Sequence, residues 1–188
     1  MRDRTVYELH SITGIFGPVK SVTGQSGIVV EERSFKDRTI KVTQDDNTVF
    51  ILGWGGPFFG IVYVSEVMIT LKSLQRFPGL GLFIKGSDGE IALGRRSVEI
   101  YSTRVPDGYQ SVKTERLLQY IPPEHYKMEE AHVFNDVMHL VDCIIKDKAP
   151  IVFGNTLSIN HARHVVEIID KGYEAARTGK TQTLTSTF

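Results

Sequence analysis

Asp3 and Tyr7 stand four residues apart near the start of the chain, and His10 follows three residues later. If this stretch is helical, Asp3 and Tyr7 share a face with Cβ atoms about 5–6 Å apart. A phenol titrates near about 10, so it needs a nearby cation before it can act as a base at neutral pH. His10, one turn from Tyr7, either lines the same pocket, faces solvent or packs in the core, and is the reserve candidate. A purely structural reading stands beside each. Asp3 would then be an N-cap or part of a frayed end, and Tyr7 an interfacial aromatic.

Other polar clusters carry less. His132 and His139 are two turns apart on a helix, about 10.5 Å along its axis, too far to share a metal. His161 and His164 are three apart and can meet on one face, but no third ligand is in register, so a polar helix face is expected and no metal site. Arg95-Arg96 reads as a solvated strand end. Asp45-Asp46-Asn47 starts like a calcium loop, then lacks the later Gly and the distal Glu, and reads as a turn. A dinucleotide site needs Gly-x-Gly-x-x-Gly between a strand and a helix. Gly53-Trp54-Gly55-Gly56-Pro57-Phe58 has Phe58 at the third Gly, and Gly79-Leu80-Gly81 runs into the apolar Leu82-Phe83-Ile84, a strand. No cofactor-binding residue is expected in the chain.

With 188 residues, the chain reads as one domain over 1–188 with a substantial core. Lys+Arg and Asp+Glu both total 22, so neither nucleic acid nor an anionic membrane is an expected partner. The single Cys143, on the apolar side of a helix, reads as a small buried hydrophobe and allows no internal disulfide. Without a signal peptide or a membrane-length apolar run, a cytoplasmic location is expected.

Periodicity supplies the elements that would hold these residues. Val6–Phe16 is amphipathic, with Leu9, Ile12 and Phe16 on one side, and stops at Gly17-Pro18. Val19–Val30 reads as a long strand, Glu31–Ile40 as a turn or sheet edge, and Thr48–Leu52 and Phe59–Met68 as strands around the Gly53–Pro57 turn. Gly86–Gly89 is a hairpin between Leu82–Lys85 and Glu90–Leu93, Val98–Ser102 is a further strand, and Val105–Tyr126 looks like an extended excursion. Two helices follow. The first is carried by Val133, Phe134, Val137, Leu140, Val141, Ile144 and Ile145 and closed at Pro150. The second is carried by Ala162, Val165, Val166, Ile169, Tyr173 and Ala176 and capped at Gly179, before a Thr-rich final strand. Phe59–Met68 is apolar on both faces, with Phe59, Ile61, Tyr63 and Val67 on one side and Val62, Val64 and Met68 on the other. About three helices cover one sheet face, so a second subunit is expected on the other.

The order of these features resembles the C-terminal domain of the glucose–fructose oxidoreductase, inositol dehydrogenase and MocA family. The resemblance is strongest in Tyr7–Val22, Asp46–Leu93 and Phe134–Thr185, and includes the Pro turn and the helix ending Ala176-Arg177-Thr178-Gly179-Lys180. It implies an α+β fold: an open, mostly antiparallel sheet with helices on one face and the second face used for oligomerisation. In the family, the first helix of this domain opens with Asp-x-Gly-x-His, some members having Tyr for His. The match puts Asp3 and Tyr7 at those catalytic positions, with Thr5 in place of Gly and Arg4 in place of an apolar residue.

Oxidising an alcohol by hydride loss requires a base at the hydroxyl, the role this implies for Tyr7. The family's activating Lys belongs to a Glu-Lys-Pro motif of the nucleotide domain, and the chain has no such motif. The reading is therefore a substrate-binding and dimerising domain of an NAD(P)-dependent oxidoreductase for a sugar- or polyol-like alcohol, expected without its nucleotide domain and inactive alone. NAD or NADP is implied for the full-length family. A stand-alone ligand-binding or assembly module, and a non-redox isomerase or lyase, are the rival readings.

Overall fold

A computed structural model describes residues 2–67, 82–93, 97–113, 137, 140, 141, 143–147 and 158–188, with Arg2 and Asp3 described by their backbone only. Helix α1 (Arg2–Phe16) carries the amphipathic stretch expected there and buries Thr5, Leu9, Ile12 and Thr13. It stops at Gly17, whose φ of 78° favours a residue without a side chain. The chain divides into two units, one of Met1–Ile69 with Ile151–Phe188 and one of Thr70–Pro150.

In the first unit, strands β1 (Ser21–Gly27), β4 (Asn47–Gly53), β5 (Phe59–Ser65) and β10 (Gln182–Thr183) form an antiparallel sheet in the order β10-β1-β4-β5. Register sets Val22 opposite Leu52, Gly24 opposite Phe50, and Phe50 opposite Val62. Helix α2 (Ile159–Thr178) lies over β1, α1 lies over β5, and the two helices touch. The core between sheet and helices holds Leu9, Val22, Phe50, Leu52, Val165 and Ile168, each essentially without solvent contact. The α2 crossing is close. A Cβ on Gly24 would sit 2.5 Å from the Gly172 carbonyl, and one on Gly172 would sit 2.6 Å from the Phe50 ring. The sheet's other face is bare: Ile51, Phe59, Ile61 and Tyr63 are all exposed. Two-sided apolar character in β5 is thus real, with Val62 and Val64 inward.

Several expectations need correction. The strand expected over Val19–Val30 ends at Gly27, because the buried Asp46 carboxylate takes the Val29 and Val30 amides at 2.7 and 3.0 Å and pulls the chain out of the ladder. Beyond it, Glu31–Ile40 is no simple turn but an exposed hairpin of β2 (Glu32–Phe35) and β3 (Arg38–Lys41). Arg33 ties it to Asp46 at 3.1 Å. The second helix buries Val165 and Ile169 as read in the sequence, but only part of the expected stripe. Ala162 and Val166 face outward, while His161, His164, Ile168, Gly172 and Ala175 face the core. Its C-terminal end is as expected, with Gly179 in the left-handed conformation; at the other end Ser158 accepts from the His161 amide.

In the second unit, β6 (Phe83–Gly86), β7 (Gly89–Leu93), β8 (Ser97–Ser102) and β9 (Tyr109–Lys113) form an antiparallel sheet in sequence order. The expected Gly86–Gly89 hairpin is there, and part of the expected excursion, Tyr109–Lys113, pairs with β8 instead. Of the helix read between Val133 and Ile145, residues 137, 140, 141 and 143–145 are helical. Val137, Leu140, Val141, Ile144 and Ile145 are exposed there, and Cys143 is half-buried where full burial was expected. Met68, Gly79–Gly81, Arg95, Arg96, His132, Phe134, His139 and the Pro150 turn lie outside the described residues.

Candidate functional site

The helical backbone of α1 puts Asp3, Tyr7 and His10 at positions i, i+4 and i+7, the same side of the helix. Tyr7 is 68% exposed, an open phenol on the first turns of the helix. Its carbonyl accepts the Ser11 hydroxyl at 2.9 Å. Arg4, the cation nearest it in sequence, is ion-paired with Glu66 after β5 at 2.5 Å. The side chain of Asp3 lies outside the described residues. His10 turns away from the open end of the helix. Its ring meets His161 edge-on at 4.5 Å, and burial, then the facing His161, hold it below the ordinary histidine range.

The two histidines of α2, expected on a polar helix face, are fully buried. His161 Nε2 lies 2.7 Å from Thr13 Oγ1, and His164 Nε2 accepts the Val19 amide at 2.9 Å. His164 Nδ1 lies 2.9 Å from Ser186 Oγ, and the Phe188 ring stacks on His161 at 4.1 Å. Helix periodicity marks these two as a polar pair. What buries them is a tail contact about twenty residues on, which spacing alone does not reveal. Among the described residues, no three His, Cys, Asp or Glu side chains gather to hold a metal.

Sequence reasoning also missed an open cleft of about 590 Å³ at the far end of α2, lined by Ser26, Asp45, Asp170, Tyr173, Glu174 and Arg177 among others. Ser26 donates to Asp45 there at 2.6 Å.

The described residues do not fit a dinucleotide. Gly53–Gly56 joins two antiparallel strands, β4 and β5, rather than a strand and a helix N-terminus. Nor is any described helix long and apolar enough to cross a membrane.

No protein-family model and no curated protein matches the chain. Solved structures do. An NAD binding oxidoreductase from Klebsiella pneumoniae superposes with a TM-score of 0.71 at 13% identity, over 97% of this chain and 49% of that one. Levoglucosan dehydrogenase in complex with NADH and L-sorbose gives 0.69 at 14% identity, over 97% and 50%. An Agrobacterium radiobacter oxidoreductase in complex with NAD+, L-tartaric acid and magnesium gives 0.61 at 18%, over 95% and 47%. The chain therefore spans about half the length of the structures it matches. Its fold is similar to that of about half of each of these oxidoreductases.

Proposed function

We propose that this chain is the substrate-binding and assembly half of an NAD(P)-dependent oxidoreductase acting on a sugar- or polyol-like alcohol. The observation that carries the reading is the coverage: 95–97% of this chain matches about half of each of the three neighbours. Two of these are complexes with NAD+ or NADH and a small polyhydroxy ligand, L-tartaric acid or L-sorbose. In the reading, the exposed Tyr7 on α1 takes the hydroxyl proton of the alcohol, and Asp3 on the same side orients that hydroxyl. The nicotinamide cofactor is held by a separate nucleotide-binding unit. Assembly uses the bare sheet face around Ile51, Phe59, Ile61 and Tyr63.

This division of labour has a direct test. Calorimetry of the chain with NAD+ or NADP+ should give no heat of binding, because no described segment cradles a pyrophosphate. A dissociation constant of about micromolar strength would place cofactor binding in this chain and overturn the proposal.

A further inference from the structure

Thr13, His161, His164, Glu167, Ser186 and Phe188 meet where the end of α1, the first turns of α2 and the last residues of the chain come together. Their hydrogen bonds fix where the protons are. A backbone amide can only donate, so His164 Nε2 offers its lone pair to Val19. In the neutral ring the proton then sits on Nδ1, which donates to Ser186 Oγ. The Ser186 hydroxyl in turn donates to Glu167. The Glu167 carboxylate also accepts the Thr185 amide and hydroxyl at 2.9 Å each and the Ser186 amide at 2.8 Å. Thr13 gives its hydrogen to the Leu9 carbonyl at 2.6 Å, so its oxygen accepts from His161 Nε2.

Both ring nitrogens of His164 are already engaged, Nε2 as acceptor and Nδ1 as donor, so a second proton would have to go on the nitrogen that faces the Val19 amide. It would set an N–H against the Val19 N–H inside a fully buried pocket.

We propose that residues 184–188 form an acid-releasable clasp: a proton on His164 expels the tail and loosens α1 where it meets α2. The titratable groups facing this corner among the described residues are His10 from α1 and His161 and Glu167 from α2. Lys171, one turn further along α2, feels Glu167. From the segment between α1 and β1, the corner receives the Val19 backbone. Burial lowers the affinity of His164 for a proton, and this outweighs the attraction of Glu167.

The clasped state therefore binds fewer protons than the released state once the pH falls below about 6.5, the free histidine value, and loses stability there. Glu167, held down to about 2, stays ionised across that window. The inference is independent of the oxidoreductase reading, because it rests on this corner alone.

The test is carboxypeptidase removal of Phe188 from the intact chain at about pH 7.5 and about pH 5, each rate divided by that of a free peptide of residues 181–188. The corrected rate should rise at the lower pH by about tenfold or more, the change one coupled proton gives per pH unit. Far-UV dichroism should stay unchanged. Trp54, the single tryptophan, donates to the Gly17 carbonyl at 3.0 Å and should shift its fluorescence with the same midpoint. His164→Gln keeps an acceptor for Val19 but cannot titrate, and should flatten the profile. If that variant does not fold, the imidazole ¹⁵N titration of His164 in the unaltered protein must track tail release. A corrected ratio within about twofold, release that follows no histidine titration, or dichroism lost at the same midpoint would each overturn the clasp.

Discussion

Glu167 shows how much one side chain can organise: four donors from two tail residues converge on its carboxylate. Burial alone would raise its pKa. The hydrogen bonds to Ser186 and Thr185 reverse this and hold it at about 2. A carboxyl with a depressed folded-state pKa stabilises the fold fully above its unfolded value, near about 4.5, and loses that contribution as the pH falls toward about 2. Glu167→Gln should therefore cost about 1–3 kcal/mol at neutral pH, measured by urea unfolding. The gap between the two proteins should close as the pH is lowered through that window; a constant gap would mean that Glu167 acts by shape rather than charge. The sequence named Tyr7 and His10 and spaced them on one side of a helix, as the backbone of α1 bears out. It put Tyr7 first and kept His10 in reserve, without a way to see which of them is open. Exposure leaves Tyr7 open while His10 packs against His161, and that contact joins residues about 150 positions apart.

Among the elements, α2 was read correctly at its Gly179 stop and in burying Val165 and Ile169, but not at Ala162 and Val166. Ala162 and Val166 look like core residues only if His161 and His164 are assumed to be wet. The side-chain partners of those histidines reverse the assumption and turn the helix. Strand β1 was overextended for a similar reason. Ile28, Val29 and Val30 have strand-forming side chains, but Asp46 claims two of their amides. The two glycines at the α2 crossing carry no periodic signal, yet they set how closely helix and sheet approach. Gly172→Ala should gain helix propensity and still destabilise by about 1–3 kcal/mol, because its Cβ overlaps Phe50. Gly27→Ala, where a Cβ meets nothing within 4 Å, is the matched control in urea melts. Equal midpoints for the two variants would argue against the close crossing.

At the scale of the molecule, strand alternation and helix periodicity gave the strands and helices, and the α+β class with its mostly antiparallel open sheet was implied by the family resemblance. The comparisons with solved structures support both. The bare face of β4 and β5 was legible too, since Phe59, Ile61 and Tyr63 alternate with buried Gly60, Val62 and Val64. If that face is an assembly surface, light scattering should give at least twice the chain mass at micromolar concentration. Ile61→Lys should return it to the monomer with its far-UV spectrum intact. A monomeric unaltered chain would leave the face without its proposed use.

The account turns most on whether this half supplies the alcohol site to a nicotinamide-binding half. Fusing the nucleotide-binding part of levoglucosan dehydrogenase ahead of Met1, and following absorbance at about 340 nm across a panel of polyols and sugars, measures this directly. The account predicts polyol-dependent NADH formation that falls by about 10²–10⁴-fold in Tyr7→Phe, the usual loss for a general base. A folded fusion that binds NAD+ but turns over no polyol in the panel would contradict it.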